Sequence, residues 1–214
     1  LLLSHYGALG GALRNSESEP MLDATVAARV LRGYLELQQS GVILEGARSL
    51  DSADACWAVY LTGEAAVCSA TSYQFLRDRG QLRFTRYAVQ ASFGGPAPAV
   101  ATSRAWVLVT SDPTRQELAA QLIAQCAMPA RTAAWLRAGY QLPASRAFMP
   151  LLIEDERERA FWDQQLADAM AAPDAALRER LRPVLEQALE GVLDGSTTPE
   201  QAAVTAALVL ESAP

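Results

Sequence analysis

The sequence contains no lysine, a single histidine and three cysteines. Its basic residues are all arginine and alanine is abundant, which together indicate the codon bias of a GC-rich genome. An odd number of cysteines cannot pair completely within one chain, so we expect Cys56, Cys68 and Cys126 to behave mainly as small buried side chains. In an oxidising compartment, the alternative is a disulfide between Cys56 and Cys68. No CxxC motif occurs, which argues against a structural zinc site.

Other features that the sequence lacks exclude further classes of function. No apolar run approaches the roughly 18 residues that a membrane-spanning helix needs. The formal net charge of −6 disfavours contact with phosphate backbones, so no nucleic-acid partner is expected. No Walker loop, GxGxxG, HExxH or metal-ligand cluster occurs, and we therefore expect no cofactor and no metal. The lone His5 has no GxSxG or similar motif with which to build a catalytic triad.

One acidic run could in principle carry chemistry. Glu154, Asp155 and Glu156 are followed by Arg157, Glu158 and Arg159. Mixed runs of this kind are typical of a solvated helix face. General acid–base catalysis by Glu154 and Asp155, as in a glycosidase, is the alternative.

Local signals predict where several helices begin and end. Asp or Thr before an apolar stripe is typical of a helix start, especially when Pro follows, and Gly is typical of an end. The predicted starts are Asp23, Asp51, Asp112-Pro113 and Thr198-Pro199, with a capping box between Thr198 and Gln201. The predicted ends are Gly41, Gly63, Gly139 and either Gly191 or Gly195, and Met128-Pro129 predicts a break between two helices.

Three segments have the composition of strands: Ala65–Ser69, Arg83–Val89 and, most strongly, Ala105–Thr110. Ligands of open α/β sheets bind at strand ends, and Tyr73 follows the first of these segments together with Thr71 and Ser72. Small hydroxyl side chains can hydrogen-bond a polar ligand, while an aromatic ring supplies a flat apolar platform. We therefore predict a ligand site at Tyr73, Thr71 and Ser72. The alternative is that Tyr73 lies at the edge of the core.

A family pattern is carried by several motifs in a fixed order. Residues 60–67, Tyr-Leu-Thr-Gly-Glu-Ala-Ala-Val, resemble the F-x-x-G-x-A-A-M signature of family 1 extracellular solute-binding proteins, the maltose-binding type of capture subunit for ABC importers. The cleft aromatic that follows this signature matches Tyr73. Further matches are Gly10-Gly11 with Leu22-Asp23, the stretch 106–119, the Gly139 to Ala144 stretch with Leu142-Pro143, and the terminal stretch from Gly195 to Ala202.

The resemblance implies the fold and the extent of the chain. It implies an α/β fold like that of type II periplasmic binding proteins, present here as a helix-rich carboxy-terminal portion from which most of the amino-terminal lobe is missing. Residues 1–102 would belong to the carboxy-terminal lobe, residues 103–144 would cross into the amino-terminal lobe, and residues 145–214 would return as helices. The missing region would hold the secretion signal and any lipid anchor, so an extracellular or periplasmic location is expected.

The resemblance also implies the function. The expected activity is extracellular capture of a small solute, most simply a carbohydrate, for delivery to the permease of an ABC transporter. Contact with the membrane would come only through that permease or a lipid anchor. The protein would not be an enzyme, and it would close about a hinge when the solute binds. Arg104, Trp106 and Arg146 lie at the two crossings between lobes and join the predicted ligand site, unless Trp106 is core and both arginines form surface ion pairs. A sensor of the same fold that feeds a receptor is the main alternative function.

Overall fold

A computed structural model describes residues 2–44, 46–82, 91–93, 95–96 and 98–212, and the predicted strand Arg83–Val89 lies outside the described residues. In chain order the helices are α1 (Leu2–Ala8), α2 (Ala24–Gln39), α3 (Ala53–Leu61), α4 (Ser72–Asp78), α5 (Pro113–Cys126), α6 (Pro129–Ala138), α7 (Met149–Leu152), α8 (Glu156–Ala167), α9 (Ala175–Leu193) and α10 (Pro199–Ser212). The strands are β1 (Ala91–Ser92), β2 (Gly95–Pro96), β3 (Val100–Ala101) and β4 (Met170–Ala171). None of the helices described is both long and apolar enough to cross a membrane.

Most of the predicted helix ends are confirmed, because they depend on short-range hydrogen bonds. The Asp23 carboxylate accepts from the backbone N–H groups of Thr25 and Val26 at the start of α2, and Asp112 does the same at the start of α5. Gly41 and Gly63 follow α2 and α3 with φ angles of 70° and 84°, which residues with a side chain rarely adopt. One prediction is wrong. Ser52 and not Asp51 caps α3, since the Ser52 hydroxyl accepts from the Ala55 N–H at 3.1 Å.

Two of the predicted strands are also wrong. Residues 65–69 and 105–110 are described throughout, and they form neither helix nor strand. The second segment exposes its apolar side chains to solvent, with Trp106 at 64%, Val107 at 71% and Val109 at 93% exposure. A strand is stabilised by hydrogen bonds to a neighbouring strand, and among the described residues this segment has no such neighbour. Composition alone predicts strands too readily where that partner is missing.

The chain divides into two compact units. Unit 1 comprises the described residues of 1–51, 87–101 and 168–214. Its core is formed by α2, α9 and α10, whose buried side chains include Val30, Leu31, Leu181, Val192 and Leu210. Four alanines of α10 are also buried (Ala202, Ala203, Ala206 and Ala207), and their small side chains let the neighbouring helices approach closely. The parallel pair β3–β4 joins the second and third segments of this unit.

Tyr6 of α1 connects the first segments of unit 1 by hydrogen bonds. Its hydroxyl donates to the backbone oxygen of Ala12 at 2.8 Å and accepts from the backbone N–H of Asp23 at 2.7 Å. The side chain is 4% exposed, so both hydrogen bonds are sheltered from water. They tie α1, the Gly10-Gly11 turn and the start of α2 into one piece.

Unit 2 comprises the described residues of 52–86 and 102–167. Its buried side chains include Trp57 of α3, Leu136 of α6, Met149 of α7 and Ile153. Phe75 of α4 contacts Trp162 of α8 edge-on, with ring centroids 5.6 Å apart. All the predicted ligand-site residues lie in this unit, so the candidate site can be described within it alone.

Candidate functional site

The start of α4 fixes the position of Tyr73. Thr71 and Gln74 form a capping box, in which the Thr71 hydroxyl accepts from the Gln74 N–H at 3.2 Å and the Gln74 side-chain oxygen accepts from the Thr71 N–H at 2.9 Å. Gln74 is 3% exposed, and its side-chain amide donates to Asp54 of α3 at 3.1 Å. The box places Ser72 and Tyr73 in the first turn of α4. The Thr71 hydroxyl is used in the cap itself.

The Tyr73 ring lies on the surface of unit 2, where it is 45% exposed. Tyr140, which follows α6, meets it edge-on with ring centroids 6.0 Å apart and an interplanar angle of 78°. The guanidinium of Arg77 lies 5.3 Å from the centre of the Tyr73 ring, within the range of a cation–π contact. These contacts hold the Tyr73 ring in one orientation while part of its surface stays open to a ligand.

Asp78 and Trp57 form a polar cluster with Arg77 next to Tyr73 and hold the guanidinium in place. Arg77 donates to both carboxylate oxygens of Asp78, at 2.7 Å from Nη2 to Oδ2 and 3.1 Å from Nε to Oδ1. The indole N–H of Trp57 donates to the same carboxylate at 2.7 Å. The hydrogen bond from Arg77, followed by that from Trp57, lowers the pKa of Asp78 below its usual value. The carboxylate therefore stays ionised at neutral pH and orients the guanidinium that contacts Tyr73.

The other predicted site residues are exposed side chains of unit 2. Arg104 and Trp106 belong to the irregular segment before α5, and Arg146 begins a short 3-10 turn before α7. Among the described residues, no hydrogen bond, ion pair or ring contact joins any of these three to Tyr73. Their membership of the ligand site stays a prediction.

Sequence reasoning did not identify Tyr140. The residue is 40% exposed and has a φ angle of 50°, in the left-handed region that residues with a side chain seldom occupy. The only available signal was an aromatic residue directly after the helix-ending Gly139. Its proximity to Tyr73 could not be predicted, because 66 residues of chain separate the two.

Two residues of the acidic run, Asp155 and Glu158, make contacts that stabilise the fold. The Asp155 carboxylate accepts from the backbone N–H of Glu158 at 2.7 Å and so caps the start of α8. Glu158 is 8% exposed, lies 3.8 Å from Arg79 and accepts from the Trp162 indole at 3.4 Å. Among the described residues, no group of His, Cys, Asp or Glu side chains is arranged to hold a metal ion.

A small apolar cavity in unit 1 is unrelated to this site. Its volume is about 20 Å³ and its walls include Tyr6, Leu22, Leu31, Ala203 and Ala206. A void of that size holds no more than a water molecule, and its lining offers almost no polar group. It is a packing defect between α1, α2, α9 and α10 and not a sugar site.

Comparison with known proteins supports the fold. No protein-family model matches the chain, and no curated protein matches its sequence. The structure is similar to a solved structure described as maltose-bound MalE3 of T. maritima, with a TM-score of 0.74 and 18% sequence identity over 98% of this chain. The chain spans 56% of the length of that protein. The fold class predicted from the sequence is therefore confirmed: the chain has the α/β fold of a periplasmic solute-binding protein, in a helix-rich portion.

Proposed function

We propose that this chain is the carboxy-terminal part of an extracellular or periplasmic solute-binding protein that captures a carbohydrate for an ABC importer. The observation that supports this most is the similarity of 98% of the chain to a maltose-bound protein. The partly exposed ring of Tyr73, which contacts Tyr140 and Arg77, offers an aromatic surface of the kind on which a sugar ring stacks. The expected solute is a neutral sugar, and the expected partner is the permease that receives it.

In this proposal the solute binds between two lobes that close about a hinge. Residues 1–102 and 145–214 would belong to one lobe and residues 103–144 would cross into the other. That division stays a prediction, and unit 2 of the structure divides the chain differently, since it combines residues 52–86 with 102–167. Pockets for small ligands enclose about 70–90% of the ligand surface. Since the chain spans 56% of its structural neighbour, we expect it to provide one wall of the cleft and to bind sugar weakly when alone.

The contribution of Tyr73 can be worked out from the area it covers. A sugar ring that stacks on the phenol would remove about 50 Å² of apolar surface from water, which at about 25 cal/mol per Å² contributes about 1.3 kcal/mol. That free energy corresponds to about a tenfold change in affinity. Tyr73→Ala should therefore weaken sugar binding about tenfold, while Tyr73→Phe should retain most of the affinity unless the hydroxyl contacts the sugar.

An NMR titration of the 214-residue chain with maltose, by saturation transfer from protein to sugar, reaches the weak affinities expected here. Tyr60→Ala is a control for the loss of another tyrosine ring of unit 2, because Tyr60 lies on α3 and stacks on Trp57. The melting temperature of each variant is measured alongside. About tenfold weaker binding in Tyr73→Ala with an unchanged melting temperature supports the proposal. A chain that binds no member of a panel of maltose, cellobiose, trehalose and sucrose, or that hydrolyses any of them, would refute it.

Arg104, Trp106 and Arg146 are tested in the same titration. Because all three are exposed, their replacement by Ala should leave the fold intact and report on binding alone. Equal maltose affinity in all three variants would remove them from the site.

A further inference from the structure

Tyr140 occupies a position where stability alone favours glycine. The N–H of Gln141 donates to the Leu136 oxygen at 3.0 Å, and the N–H of Tyr140 donates to the Arg137 oxygen at 3.3 Å. These two hydrogen bonds form the Schellman motif that ends α6, with Tyr140 at its left-handed position. The φ angle of 50° there is normally left to Gly or Asn. The glycine of this segment, Gly139, stands one residue earlier, where its φ of −94° suits any residue.

The side chain of Tyr140 faces Tyr73 across the surface of unit 2. The two rings stand at 78° to each other, and the two residues, at 40% and 45% exposure, leave two neighbouring aromatic surfaces partly open to solvent. We call this pair the Tyr73–Tyr140 corner. Arg77, held by Asp78 and Asp54, contacts the Tyr73 ring and helps to fix one wall of the corner. The backbone of Tyr140, which carries the other ring, is fixed by the Schellman motif at the end of α6.

We infer that Tyr140 is a second aromatic wall of the solute site and recognises a pyranose ring together with Tyr73. This inference rests on the proposed function. A pyranose presents an apolar C–H face and a rim of hydroxyl groups, so one phenol ring can stack on the face while the perpendicular ring covers an edge. The two phenol hydroxyls can donate to or accept from sugar hydroxyls at the same corner. The preferred ligand class is a neutral sugar with an unsubstituted ring face.

The left-handed backbone makes it straightforward to separate this role from a purely structural one. If Tyr140 served only the fold, Tyr140→Gly would relieve the strained φ and lose the edge-on contact with Tyr73, and maltose binding would stay as in the parent chain. If Tyr140 binds sugar, Tyr140→Gly keeps or raises the melting temperature and weakens maltose binding about tenfold. Tyr140→Phe keeps the ring and should bind nearly as the parent chain does.

Ser18 supplies a matched control for relief of backbone strain. It is the other described residue with a side chain at positive φ, at 66°, and it lies in unit 1. Ser18→Gly should raise the melting temperature in the same direction as Tyr140→Gly and leave maltose binding unchanged. Tyr73→Ala serves as the positive control for loss of the site.

The experiment is the saturation-transfer NMR titration of the 214-residue chain with maltose and the other three disaccharides of the panel. Weaker binding in Tyr140→Gly, without a lower melting temperature and with Tyr140→Phe and Ser18→Gly unaffected, is the expected result. If Tyr140→Gly binds as the parent does while Tyr73→Ala does not, this inference is overturned and the proposed function stands. If the parent chain binds none of the sugars, the proposed function and this inference are both overturned.

Discussion

Replacement of Asp78 tests how the fold of unit 2 supports the candidate site. The Asp78 carboxylate accepts from the buried indole of Trp57 and from Arg77, both at 2.7 Å. Asp78→Ala leaves the indole N–H without this acceptor in a side chain that is only 3% exposed, which costs about 1–3 kcal/mol. The lost ion pair with Arg77 adds less than about 1 kcal/mol, since the Arg77 side chain is 30% exposed and water screens it.

A second variant separates the hydrogen bond from the charge. Asp78→Asn can still accept from Trp57 through its amide oxygen, so it should cost less than about 1 kcal/mol, for the weaker contact with Arg77. Arg115→Ala is the control within the same unit, because the Arg115 side chain is 78% exposed and its ion pair with Asp112 at 3.8 Å should contribute less than about 1 kcal/mol. We therefore expect the loss of stability to increase from Arg115→Ala and Asp78→Asn to Asp78→Ala.

Tryptophan fluorescence measures this ranking in urea unfolding without interference from unit 1. The chain has four tryptophans, and Trp57, Trp106, Trp135 and Trp162 all lie in unit 2. The midpoint and slope of the transition then give the free energy of unfolding reported by these tryptophans. Equal stability of Asp78→Ala and the parent chain at pH 7 would refute the assigned role of the carboxylate.

The same variants have a predicted pH dependence. The pKa of Asp78 is lower in the folded chain than its ordinary value of 3.8, chiefly because Arg77 donates hydrogen bonds to the carboxylate. Its contribution to stability is therefore complete above about pH 4 and is lost as the pH falls through the folded pKa. The difference in stability between the parent chain and Asp78→Asn should shrink below pH 4. A difference that stays constant down to pH 2.5 would show that the folded and unfolded pKa values are equal.

Two further predictions concern unit 1. His5 stacks on Phe93 with ring centroids 4.7 Å apart, and burial lowers the pKa of His5 below 6.5. The contribution of His5 to stability should therefore be complete above pH 6.5 and be lost as the pH falls towards the folded pKa. The free energy of unfolding should fall by up to about 1.4 kcal/mol per pH unit in that range. Circular dichroism in urea should show this slope in the parent chain and a smaller one in His5→Phe; identical slopes would contradict the prediction. Leu181→Ala should cost about 2–5 kcal/mol, because Leu181 is 1% exposed between α9 and its neighbours, whereas Leu208→Ala, at a position 60% exposed, should stay within about 0.5 kcal/mol. Similar unfolding midpoints for these two leucine variants would contradict the assigned core.

The sequence predicted the helix ends well because they depend on neighbouring residues. Asp23, Asp112 and the Thr198–Gln201 box are caps in the structure, and Met128-Pro129 separates α5 from α6 as predicted. Each of these signals acts over three or four residues, so no distant contact can easily override it. The capping of α3 by Ser52 in place of Asp51 is an error of one residue within the same local rule.

The candidate site was predicted only in part, since its residues come together through tertiary contacts. The sequence singled out Tyr73 and its hydroxyl neighbours, but it gave no means to find the cluster of Trp57, Arg77 and Asp78 beneath the ring. Nor could it place Tyr140, whose contact with Tyr73 depends on the tertiary fold of unit 2.

By itself, therefore, the sequence determined where most helices begin and end, the acidic net charge and the absence of catalytic motifs, and it singled out Tyr73. These properties follow from composition and short-range spacing. Only the tertiary structure decided which apolar segments become strands and which aromatic rings meet. Ala105–Thr110 has strand composition and yet remains irregular, because strand hydrogen bonds need a partner that spacing along the chain cannot supply. For the same reason, the open corner between Tyr73 and Tyr140 exists only once the helices that carry them are packed.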